Sequence, residues 1–91
     1  KVVDMVRELA DFGARVDVHD PWVDPAEAQQ EYGIEPLAEP AAGAYDAVVM
    51  AVAHNEFKAL GAAGVRGFLA EDGVLYDIKH ILPADAVDGR L

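Results

Sequence analysis

Residues 45–54 read YDAVVMAVAH. Tyr45 and Asp46 lead into seven apolar residues, Ala47 to Ala53, and the run halts at His54. A strand that is apolar on both faces belongs in the middle of a parallel sheet covered by helices. In open sheets of that kind, ligands bind in the crevice beyond the carboxyl ends of the strands. His54 stands at such an end, so this one stretch predicts both a fold class and a place for function.

The pattern on either side agrees with that prediction. Upstream, Val2, Val3, Val6, Leu9 and Ala10 recur at helical spacing, with Asp4, Arg7, Glu8 and Asp11 opposite, and Gly13 is placed to end the helix. ARVDVHD (14–20) alternates apolar and polar residues, which predicts a strand with one wetter face near the sheet edge, ended by Asp20-Pro21. Asp24-Pro25-Ala26-Glu27 is a helix start, with Asp24 as cap, Pro25 at the first position and Glu27 able to complete a capping box. That helix runs to Tyr32 and stops at Gly33; Ile34 to Leu37 follow as a short extended piece, and Pro36 and Pro40 open a loop into residues 45–54. Downstream, Asn55 is placed to cap a short helix carrying Phe57 and Leu60, interrupted by Gly61, Gly64 and Gly67. Asp72-Gly73 reads as a turn and VLYDIK (74–79) as the last strand. The tail after Pro83 has no pattern that places it.

Composition narrows the function classes. Ninety-one residues suit one small domain, 1–91, and there is no cysteine, which excludes a disulfide framework, a thiolate nucleophile and a Cys-based zinc site. That usage fits a cytoplasmic protein. No apolar run approaches the ~18 residues needed to span a bilayer. The net charge of −10, with Lys1, Arg7, Arg15, Lys58, Arg66, Lys79 and Arg90 scattered, disfavours nucleic acid. The three histidines do not share metal-ligand spacing, so no metal site is expected. P-loop, G-x-S-x-G and G-x-G-x-x-G motifs are absent.

Alternating helices and strands imply a parallel sheet with crossover helices. The expected fold class is α/β, a Rossmann-like three-layer αβα sandwich with a mostly parallel sheet. Lys1 opens directly into a helical pattern with no strand feeding it, so the chain reads as an N-terminally truncated piece whose first strand lies upstream. The strand ends then supply the candidates: His19, Asp20 and Trp22; His54 and Asn55; Asp77, Lys79 and His80. Each has a plainer alternative. His54 caps the next helix or bonds to carbonyls; Trp22 packs over the sheet edge instead of stacking on a ring; Lys79 pairs with Asp77 or Asp20 instead of reaching a phosphate.

Three stretches carry a family resemblance: VVDMVRELADFGARVDVHDPWVDPAEA (2–28), YDAVVMAVAHNEFKAL (45–60) and GVLYDIKHIL (73–82). Together they resemble the C-terminal, UDP-binding domain of the UDP-glucose/GDP-mannose dehydrogenase family, nearest to the branch that oxidises UDP-N-acetylhexosamines for bacterial surface polysaccharides. The resemblance implies a parent enzyme with an N-terminal NAD-binding domain that holds a catalytic cysteine, and a two-fold oxidation of a sugar C6 alcohol to a carboxylate. This chain would contribute no catalytic residue and would be inactive alone, with NAD bound mainly by the other domain. Lys79 matches the family's basic position after the last strand's aspartate, where a nucleotide-phosphate or sugar contact falls. His54 matches the histidine closing the central strand, and Asp20 the D-P turn near it. The partners implied are a UDP-sugar, the N-terminal domain of the parent chain and further copies in a homo-oligomer.

Two other readings stay open. One is a non-catalytic, flavodoxin- or receiver-like interaction module holding Mg²⁺ on Asp17 and Asp20, although such a module needs an aspartate where His54 stands. The other is an assembly domain that buries an open sheet edge against another subunit.

Overall fold

The computed structural model describes residues 2–90. The chain divides between Pro40 and Ala41 into two compact units.

The first unit holds helices α1 (Val2–Asp11) and α2 (Pro25–Tyr32). The local signals for both are realised. Past the end of α1, the Gly13 N–H donates to the Ala10 carbonyl at 2.9 Å and the Ala14 N–H to the Leu9 carbonyl at 3.0 Å, with Gly13 at φ 91°. This pair of bonds is the Schellman closure that the glycine predicts. At α2, the Asp24 carboxylate accepts the Ala26 N–H at 3.0 Å, Pro25 takes the first turn and Gly33 closes the helix at φ 69°.

Residues Ala14–Asp20 depart from expectation, because they form no strand. The alternating pattern is present, but a strand exists only where a neighbour completes a ladder. Here the Leu37 N–H donates to the Val18 carbonyl at 2.7 Å and the His19 ring nitrogen lies 2.9 Å from the Leu37 carbonyl. These contacts tie 14–20 to the extended piece around Leu37 without building a sheet.

The second unit carries a three-stranded, all-parallel sheet in the order β1 (Tyr45–Met50), β2 (Leu69–Asp77), β3 (Gly89–Arg90). Helix α3 (Asn55–Arg66) connects β1 to β2 and packs on β2. The α/β, Rossmann-like character read from the sequence is thus present. Placement within the sheet differs from expectation. Among the described residues β1 pairs with β2 alone, and it is β2 that has a neighbour on both sides. Val49 is accordingly 38% exposed. The expected 72–73 turn is instead a bulge inside β2: the register passes from Tyr45↔Leu69 to Ala47↔Val74, so three extra residues on β2 are looped out around Asp72, at φ 68°.

The core of this unit is small. Leu75 is fully buried and packs with Met50, Val65 and Leu82, flanked by Val48 and Phe57. Arg66, at the end of α3, fastens the C-terminal stretch. Its guanidinium donates to the Ala86 carbonyl at 3.0 and 3.2 Å and to the Asp88 carboxylate at 3.2 Å. The same Asp88 oxygen accepts the Leu75 N–H at 2.8 Å, while the Asp88 N–H donates to the Leu75 carbonyl at 2.9 Å. These bonds bring residues 84–90 alongside β2, where β3 pairs with Tyr76 and Asp77.

Helix α3 is two pieces joined at Gly61, whose φ 67° and ψ 176° lie in a region open essentially to glycine alone. Nothing lies within 4 Å of a Cβ placed there, so the constraint is backbone conformation and not space. Gly61→Ala is therefore expected to cost about 1–3 kcal/mol of stability, measured by urea unfolding. A change below half of that range would show that the kink relaxes into continuous helix.

Asp88 makes acid stability testable. The Leu75 N–H, opposed by partial burial and assisted by Arg66, holds its carboxyl below the ordinary aspartate range. A lowered folded pKa contributes stability that is complete above the unfolded value of about 3.9 and is lost as pH falls through the folded value. Asp88→Asn should therefore lose less stability between pH 7 and pH 3 than the unaltered chain. Equal losses in urea midpoint would show that the carboxylate contributes nothing.

Candidate functional site

Parallel pairing puts the carboxyl ends of β1 and β2 at one edge of the sheet. Met50 is in register with Asp77, and the Ile78 N–H donates to the Met50 carbonyl at 3.1 Å. The segments that leave these strands, 51–54 and 78–82, therefore depart side by side. Of the three residues that the family resemblance singles out, His54 and Lys79 stand on them. Asp20 belongs to the first unit and is described by itself.

His54 is the N-cap of α3 in backbone terms: its carbonyl accepts the N–H groups of Phe57 and Lys58 at 3.1 and 3.2 Å. Its side chain makes no capping bond. The ring instead stacks on Phe57 with centroids 5.6 Å apart and planes 27° from parallel. Of the plainer alternatives, a side-chain cap on the next helix is therefore not what His54 provides. A Ser, Asp or Asn would serve that purpose better. The half-buried imidazole stacks on Phe57 four residues past Met50, the last residue of β1, and not at the end of a strand that the apolar run predicted to reach it.

Lys79 is exposed. Its backbone N–H donates to the Asp77 carboxylate at 3.2 Å, and the second Asp77 oxygen accepts the Leu82 N–H at 2.8 Å. Asp77 is fully buried. The plainer alternative paired Lys79 with Asp77 or Asp20, whereas the two Asp77 oxygens accept backbone N–H groups of the turn. His80, next along, is a non-glycine residue at φ 56°.

Asp20 is engaged in its own turn. One carboxylate oxygen accepts the Trp22 N–H at 2.9 Å and its carbonyl accepts the Val23 N–H at 3.4 Å, an Asx turn through Pro21. Trp22, expected to pack over the sheet edge, is 61% exposed. An open groove of about 540 Å³ lies in the first unit beside Val16, Val18, Ile34 and Leu37. Asp17 and Glu35 border it and none of the three candidates lines it, so its acidic rim is a poor match for a phosphate. Among the described residues no three His, Asp or Glu side chains group to hold a metal ion, and no helix is long and apolar enough to cross a membrane.

An α/β unit with parallel strand ends that present a lysine and a histidine has the form of a nucleotide-binding module. The chain belongs to the UDP-glucose/GDP-mannose dehydrogenase family and is its UDP binding domain, matched over residues 1–84. Over 91 residues it is 52% identical to a UDP-N-acetyl-D-glucosamine 6-dehydrogenase of Pseudomonas aeruginosa, covering all of this chain and 22% of that protein. A UDP-N-acetyl-D-glucosamine 6-dehydrogenase of Salmonella typhi is 45% identical over the same length, with 21% of it covered. Protein CapL of Staphylococcus aureus is 26% identical over 88 residues, which are 97% of this chain and 20% of that one. The chain thus spans about a fifth of the length of the curated relatives it matches. No solved structure matches it significantly.

The uncapped start of α3 gives a direct test of His54. His54→Ser places a hydroxyl where it can accept the N–H of the second or third helical residue, and is expected to gain up to about 1 kcal/mol in unfolding free energy. A loss instead would mean that the stack on Phe57 outweighs the missing cap.

Proposed function

We propose that the crevice beyond the carboxyl ends of β1 and β2 receives the uridine diphosphate of a nucleotide sugar, with Lys79 directed to the diphosphate and His54 lining the crevice. The carrying observation is the Met50↔Asp77 register, which sets the His54 and Lys79 segments beside each other at one sheet edge. An exposed lysine on a short, bonded turn is a mobile point charge on a fixed base, suited to a phosphate. Asp20 shapes the D-P turn of the first unit through its bond to the Trp22 N–H.

In this reading the parent protein is an NAD-dependent UDP-sugar 6-dehydrogenase acting on an N-acetylhexosamine, and the product uronic acid enters bacterial surface polysaccharide. The identity to the two UDP-N-acetyl-D-glucosamine 6-dehydrogenases supports the choice of sugar. Oxidation of an alcohol to a carboxylate through a covalent intermediate needs a nucleophile such as a thiolate, and this chain has no cysteine. Its contribution is therefore to hold the nucleotide and close over the substrate, which positions C6 and excludes water. The thiol and NAD belong to another part of a cytoplasmic, homo-oligomeric enzyme.

Calorimetric titration of UDP and of uridine tests the assignment. Lys79→Ala is expected to weaken UDP binding about tenfold, the scale of one charge-assisted contact, and to leave uridine binding unchanged. Equal UDP affinity with and without the lysine would remove Lys79 from the site. Equal losses for UDP and uridine would move it away from the phosphates.

A further inference from the structure

We infer that Asp77 is a positioning residue for nucleotide binding, acting through the turn 78–82 to present Lys79. The inference rests on the reading of Lys79 as the diphosphate contact. Its starting point is burial: Asp77 is fully buried, the only charged side chain so placed among the described residues. A carboxylate removed from water is tolerated where hydrogen bonds replace the lost hydration. The bonds found here have a common destination. One oxygen takes the N–H of Lys79 at 3.2 Å and the other the N–H of Leu82 at 2.8 Å. Both donors lie in the five residues that follow Asp77.

The turn is thereby held at several points. Asp77 itself is fixed by its pairing with Met50 on one side and Arg90 on the other. Ile78 is tied to the Met50 carbonyl at 3.1 Å, and Leu82 is buried in the core. Between the two carboxylate bonds sits His80 at φ 56°, a left-handed conformation that a non-glycine residue keeps only where its surroundings impose it. The same two bonds bracket that residue. A carboxylate that merely ended a strand could face solvent and would not need this geometry. What the geometry accomplishes is a fixed backbone at Lys79 below a side chain that remains exposed. Fixing the base of a long lysine shrinks the volume its ammonium samples, and so lowers the entropy lost on contact.

The test is a double-mutant cycle on UDP affinity, read by calorimetry on the unaltered chain, Asp77→Asn, Lys79→Ala and the double variant, with thermal midpoints alongside. Asp77→Asn keeps one acceptor oxygen and is expected to weaken UDP about fivefold in the unaltered background, and by less than twofold once Lys79 is alanine. The same fivefold loss in both backgrounds would mean that the carboxylate acts on the fold at large, and would overturn the inference. Full UDP affinity in Asp77→Asn, with Lys79→Ala weakened, would overturn it while leaving the site reading intact. Full affinity in Lys79→Ala would overturn the site reading and the inference together. Should Asp77→Asn fail to fold, amide hydrogen exchange on the unaltered chain decides. Slow exchange at Lys79 and Leu82 before UDP is added supports a turn organised in advance; fast exchange that slows only with UDP overturns it.

Discussion

Two parallel strands cannot be joined by a tight turn, and that constraint organises the second unit. The chain must leave β1, cross over as α3 and re-enter at the same end, so both strands finish at one edge. The Met50↔Asp77 register then decides which residues are neighbours there. A one-residue slip would exchange the faces of β2, turning Leu75 and Asp77 out of the interior and Tyr76 into it. The core and the candidate site thus depend on the same pairing. Leu75 fixes the register by filling the interior, and Asp77, two residues on along the same face, converts that register into the geometry of the following turn.

How much of this was legible in the sequence depended on whether the signal was local. The stops at Gly13 and Gly33 and the start at Asp24-Pro25 were readable because each involves backbone groups within six residues. The break at Gly61 was readable for the same reason, as a glycine in a helical pattern. The strand expected at 14–20 failed because alternation describes the side chains while a ladder needs a second chain segment, and Leu37 supplies one bond where a strand would need several. Residues 89–90 carried no pattern at all, since two residues cannot; their pairing is imposed by Arg66 and Asp88 from outside the strand. Asp72-Gly73 was correctly marked as irregular but wrongly as an end, because the same chemistry serves a turn or a bulge.

The candidate site was legible to a comparable depth. A lysine and a histidine after apolar runs can be found by reading along the chain. Lys79 follows the end of β2 by two residues, whereas His54 lies four residues past the end of β1 at Met50, where the apolar run predicted strand up to it. The role of Asp77 could not be read, because an aspartate beside Lys79 looks like its ion-pair partner. Only burial distinguishes a carboxylate facing an ammonium from one turned inward to accept N–H groups. His54 shows the converse. Its position was readable, and the replacement of a side-chain cap by a stack on Phe57 was not.

A chain of net charge −10 is an unpromising host for a diphosphate until distance is considered. At physiological ionic strength interactions between exposed charges fade over about 8 Å, so carboxylates spread over the surface contribute little at any one point. A lysine in contact with the phosphate is not screened in this way. The local field at the edge of β1 and β2 therefore follows from what the turn 78–82 presents, and much less from the protein's sum. This makes the placement of one cation more consequential than the number of cations. On the proposed reading the acidic surface would act as a filter, since polyanions that touch many points meet repulsion over their whole length, while a compact diphosphate would meet only the crevice. Affinity for a small anion and aversion to nucleic acid would in this way be compatible on one surface.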